Sequence, residues 1–133
     1  MKPSEALMNK LYQNIGKLFY ALAAADNSVR KQETEQLKNV IRAEWLQLDD
    51  ATDAFGTDSA YQIEIVFDFL LEKQPSSEES FSRFKGFFNE HKYLFTTPYK
   101  SMILKTATAI ADSFHGTNEA ENSMIKELRK LFN

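Results

Sequence analysis

The chain contains no cysteine. That excludes disulfide frameworks, thiolate metal sites and cysteine nucleophiles, and it fits a reducing compartment. Glycine and proline are scarce, at four and three residues. Strands joined by tight turns use more of both, so the composition favours helices. No window is apolar for long enough to cross a membrane. Met1-Lys2-Pro3-Ser4-Glu5 runs into an amphipathic pattern, not into the apolar core and cleavage site of a secretory leader. Lysine and arginine total 16 against 19 aspartates and glutamates, for a net charge of −3 and a pI near 5.4. The basic residues are interspersed with acidic ones. Nucleic-acid binders leave a dense basic footprint, so no nucleic-acid partner is expected. The expectation is a soluble, cytoplasmic protein with no membrane span.

What remains fits one domain over residues 1–133. At 43% hydrophobic and 26% charged residues the composition is globular. A chain of this length buries a core without covalent staples. Leu7, Leu11, Ile15, Leu18 and Leu22 recur at helical spacing and predict a helix over roughly 5–25, stopping in the turn-forming Asp26-Asn27-Ser28. Leu37, Val40, Ile41, Trp45 and Leu48 mark a second, roughly 31–47, with Lys31, Glu35, Lys38 and Arg42 on its solvated face. Residues 49–58 read as a loop. In the next stretch Ile63, Ile65, Phe67, Phe69 and Leu71 alternate as a strand would, whereas Ile63, Val66, Phe67, Leu70 and Leu71 fit a helix. A lone strand would have no partner, so a helix over 59–73 is expected.

Pro75 closes that segment, and Ser76 with Glu79 has the spacing of a capping box. Phe81, Phe84 and Phe88 continue a helix to about residue 90. Thr97-Pro98 reads as a helix start with Thr97 as N-cap and Pro98 in the first position, and Tyr99, Met102, Ile103, Thr106 and Ile110 carry it to Ala111-Asp112. Asn118 and Glu121 form a second cap pair before Met124, Ile125, Leu128, Leu131 and Phe132. The sum is an all-α bundle of six helices, or seven if Leu94-Phe95 forms a short one. Two Ala-rich helices, each closing in Ala-Asp and followed by an amphipathic helix, suggest two similar hairpins packed together.

The segments Ala21–Glu33 (ALAAADNSVRKQE) and Ala107–Glu121 (ATAIADSFHGTNEAE) resemble the paired signatures of the TerB-like, tellurite-resistance-associated family. In that family each half has a helix ending in Ala-Asp, usually followed by Gly, then a polar turn and an acidic run. The resemblance implies a compact bundle of about seven helices and a bacterial, cytoplasmic stress-response setting. It also implies metal binding by acidic residues near the paired turns. Asn27 stands where the family favours Gly, Arg30-Lys31-Gln32 replace polar or acidic positions, and the second turn, Ser113-Phe114-His115-Gly116, is longer and more apolar.

Asp26, Glu33, Asp112 and Glu121 are the candidate metal ligands. If the hairpin turns adjoin, four carboxylates converge, and a hard cation such as Ca²⁺ or Mg²⁺ prefers such an all-oxygen site. Alternatively, the aspartates bond their own turns and the glutamates complement helix N-termini. Asp49, Asp50, Asp53 and Asp58 lack the alternate spacing, central Gly and terminal Glu of a calcium loop. His91 and His115 have no ligand spacing, although His115 could pair with Asp112. No catalytic residue is assigned, because no nucleophile elbow, P-loop or dinucleotide fingerprint occurs. Phe81, Phe84, Phe87 and Phe88 form either a core or an exposed patch for a partner protein or second subunit. Two readings follow: a non-enzymatic domain binding a divalent cation, a partner protein or both, and a ligand-free interaction module using a Phe-rich surface. The chain is expected as monomer or homodimer.

Overall fold

The first helix shows how this sequence builds its centre. In the computed structural model, α1 spans Glu5–Ala23, and Leu11, Tyr12, Ile15, Leu18, Phe19 and Leu22 are all essentially inaccessible. These residues fall on more than one face. From Lys10 onward only a narrow polar strip, Lys10, Gln13 and Lys17, stays at the surface, so the rest of the helix belongs inside the domain. The structure describes residues 5–25, 34–35, 38–43, 45, 59–113 and 119–133; at positions 5, 59, 60, 111–113 and 119–121 this means the backbone alone. Helical residues 34–35, 38–43 and 45 belong to α2. The next helices are α3 (Ser59–Lys73), α4 (Ser77–Glu90), α5 (Thr97–Ser113) and α6 (Glu119–Phe132), with a 3₁₀ turn at Lys92–Leu94. No strand occurs among the described residues. The expected all-α bundle is what forms.

α1 packs against α3, α4, α5 and α6, and α5 packs on α6. Gly16 allows the α1–α3 contact to be close: a Cβ there would lie 3.0 Å from the Ile63 carbonyl oxygen and 3.1 Å from the Val66 Cβ. The helical reading of 59–73 holds, because Ile63, Phe67 and Leu70 are buried on one face while Ile65 and Phe69 are exposed. α3 ends where Gln74 takes a left-handed φ of 54° and donates its N–H to Leu70 O at 2.7 Å. Pro75 then prevents continuation.

The start of α4 is half of a capping box. Ser76 Oγ accepts from Glu79 N at 3.0 Å, but the Glu79 carboxylate pairs with Arg83 one turn on, at 3.2 Å. α5 begins one residue earlier than expected: Thr97 is already helical, and the Thr96 carbonyl accepts from Lys100 N. The short seventh element does form, as the 3₁₀ turn containing Leu94.

Two aromatic groups lock the elements. Phe84 and Phe88 of α4 meet Phe95 and Phe132, with centroids 4.9 Å apart for Phe88–Phe95 and 5.3 Å for Phe88–Phe132. Phe81, Phe84 and Phe88 are buried and Phe87 is half-buried, so the Phe-rich helix is core and supplies no exposed patch. Trp45, fully buried, packs on Phe19 and stacks on Tyr99. Its Nε1–H donates to Thr106 Oγ1 at 3.1 Å, and the Thr106 hydroxyl donates in turn to the Met102 carbonyl. Ion pairs finish the surface: Lys38–Asp68 and Arg42–Glu64 tie α2 to α3, and Lys85–Glu127 ties α4 to α6. Exposed pairs contribute at most about 1 kcal/mol each, so the buried rings carry the packing.

Candidate functional site

Asp26 and Glu33 lie outside the described residues, as do the turn with His115 and the aspartates of 49–58. Asp112 falls on the last turn of α5 and Glu121 on the first turn of α6, both described as backbone only. Among the described residues no group of three or more histidines and carboxylates is placed to hold a metal. His91 caps α4 through its backbone N–H. Its ring lies 4.6 Å from the Phe87 ring, and its buried Nδ1 has no hydrogen-bond partner among the described residues. Among the described residues the only carboxylate paired with it is Glu90, at 4.0 Å, so His91 is a packing residue at the edge of the Phe cluster.

The chemistry the described structure does assemble was not visible as a motif. A cleft of about 280 Å³ opens between three helices, lined by Lys17 of α1, Phe69 and Lys73 of α3, Glu79 and Arg83 of α4, and Pro75 between them. Burial, and then the nearby Arg83 guanidinium, push the Lys17 ammonium below its ordinary pKa. Among the described residues Lys17 has no ion pair and no hydrogen-bond partner. Lys73 sits over the Phe69 ring, 5.7 Å from its centroid, and Arg83 is held by Glu79. Three cations against one carboxylate leave this cleft at +2 in a chain whose net charge is −3. The cleft wall is fixed by a buried-end hydrogen bond, from Tyr20 Oη to the Pro75 carbonyl at 2.8 Å.

Phe69 also belongs to a second surface. Tyr61, Ile65 and Phe69 are 62%, 43% and 55% exposed. At spacings of four residues they form one stripe along α3, on the face turned away from Ile63, Phe67 and Leu70. Glu64 and Asp68 are engaged by Arg42 and Lys38 of α2, which places α2 along one side of the helix. The stripe was latent in the ambiguous segment: the residues that made it look like a strand, Ile65 and Phe69, are those a helix leaves outside.

Among the described residues, no helix is long and apolar enough to cross a membrane. Compared with family models, with curated proteins and with solved structures, the chain matches none.

Proposed function

We propose that this chain is a non-enzymatic, TerB-like binding module of the bacterial cytoplasm, acting in stress response by engaging a partner protein through the outer face of α3. The observation that carries this reading is the exposed Tyr61–Ile65–Phe69 stripe. Eight residues of helix rise about 12 Å, the length of a two-turn apolar seam. Three partly exposed side chains offer on the order of a few hundred Å². A stable dimer buries about 800 Å² per partner, so the stripe is too small to hold a second copy by itself. It suits one amphipathic helix of a partner, with apolar residues at i, i+4 and i+7 laid along α3. Within the same reading, Asp26, Glu33, Asp112 and Glu121 hold a divalent cation; Asp112 lies in the last turn of α5 and Glu121 in the first turn of α6.

The test is a photo-crosslinking residue at position 65 in the native cell, with the same residue at the exposed Arg129 of α6 as control. A discrete adduct at 65 that disappears in Phe69→Asp is expected. Equal adducts at both positions, or none at 65, would refute the docking face.

A further inference from the structure

From the cleft between α1, α3 and α4 we infer that the protein binds a small organic dianion, its charged head among Lys17, Lys73 and Arg83 and its apolar body against Phe69, Leu70 and Pro75. The site shares Phe69 with the α3 stripe, but its charged head group is held by Lys17, Lys73 and Arg83, which lie outside the stripe, and it does not rest on the docking reading. Three observations converge. Cationic side chains from three separate helices line one concavity of about 280 Å³, a volume suited to a small molecule. Lys17 is half-buried and unpartnered among the described residues, beside a guanidinium of like charge. A charge desolvated and repelled in this way costs stability when the cleft is empty, and the direct attraction of an anion in the cleft offsets that cost. Finally, the lining is mixed: an aromatic ring, Leu70 and Pro75 adjoin the cations, which favours an anion with a hydrophobic body over a bare inorganic one.

The charge count sets the head group. Lys17, Lys73 and Arg83 minus Glu79 leave +2. A phosphate monoester carries about −1.5 to −2 at pH 7, and an aromatic dicarboxylate carries a similar charge. The shared chemistry is a dianion on a ring or short alkyl body.

Phenyl phosphate and phthalate serve as probes for the two head groups, in calorimetric titration and thermal melts of the full chain. At least one is expected to give saturable binding and a dose-dependent rise in melting temperature, and which one responds identifies the head group. Inorganic phosphate should bind about tenfold more weakly, the loss expected when part of a ring is no longer buried. Lys17→Met removes a desolvated, repelled charge, so it should keep the fold while weakening binding about tenfold or more. Lys73→Met, at an exposed position, gives the same reading where the fold is under no strain. The inference is overturned if neither dianion binds, if both methionine variants bind like wild type, or if benzyl alcohol binds as well as phenyl phosphate.

Discussion

Gly16 and Gly86 both sit inside helices, yet replacing each with alanine should move stability in opposite directions. Alanine in a helix interior is favoured over glycine by about 0.8–1.0 kcal/mol. At Gly86 nothing lies within 4 Å of the added methyl, so Gly86→Ala should stabilise by up to about that amount. At Gly16 the methyl meets the Ile63 carbonyl oxygen at 3.0 Å and Val66 Cβ and Cγ1 at 3.1 and 3.2 Å. None of these can move cheaply, because the carbonyl belongs to the hydrogen-bonded backbone of α3 and Val66 is β-branched, with one favoured rotamer in a helix. The two helices must separate, and overpacking of this kind costs about 1–3 kcal/mol. Set against the propensity gain, Gly16→Ala should lose roughly 0–2 kcal/mol. The difference between the two variants removes the propensity term and isolates a packing cost of about 1–3 kcal/mol. Each kcal/mol corresponds to about 4 °C for a domain of this size. Urea and thermal denaturation followed by helical circular dichroism would measure both variants, with equal urea slopes confirming a common unfolding transition. If Gly16→Ala proves as stabilising as Gly86→Ala, the close α1–α3 approach is wrong.

Other expectations test the remaining contacts. Thr106→Val leaves the buried Trp45 N–H without its acceptor and should cost about 1–3 kcal/mol, whereas Thr106→Ser should cost less; unfolding followed by the emission of the single tryptophan reads both. Burial holds the Tyr20 phenol above its ordinary value of 10.0, so the folded chain keeps that proton to higher pH than the unfolded one. Its contribution is therefore fully present below pH 10 and is lost as pH rises beyond it. The stability gap between wild type and Tyr20→Phe should shrink in that window; the comparison cancels Lys17, whose lowered pKa acts in the opposite sense. At neutral pH the same variant should cost about 0.5–1.5 kcal/mol through the lost bond to Pro75. Millimolar Ca²⁺ or Mg²⁺ should raise the melting temperature, and combined Asp26→Asn and Asp112→Asn should abolish the rise; an unchanged melting curve with both ions would count against the cation reading.

Local rules made most of the fold legible. The bounds of α3 follow from helical spacing and Pro75, and the start of α4 from Ser76 with Glu79. The same rules failed where two local partners competed. Glu79 was available both to its own cap and to Arg83, and it pairs with Arg83 one turn along the exposed helix. The orientation of the Phe-rich helix was open for a similar reason: Phe81, Phe84 and Phe88 fix a face, but only Phe95 and Phe132, supplied by later segments, make it an inner one. The cleft was invisible because Lys17, Lys73 and Arg83 come from three helices and share no motif.

By itself, then, the sequence determined that the described chain is helical, where α3 and α4 begin and end, and which of their residues share a face. Those properties depend on neighbours within a turn or two, where period, capping and proline act. The tertiary structure decided which faces meet. It put α1 at the centre, joined Trp45 to Thr106, buried Phe81, Phe84 and Phe88, left Tyr61, Ile65 and Phe69 outside and left Lys17 beside the Arg83 guanidinium. Burial and local potential are set by groups distant in sequence, so they exist only once the helices have packed.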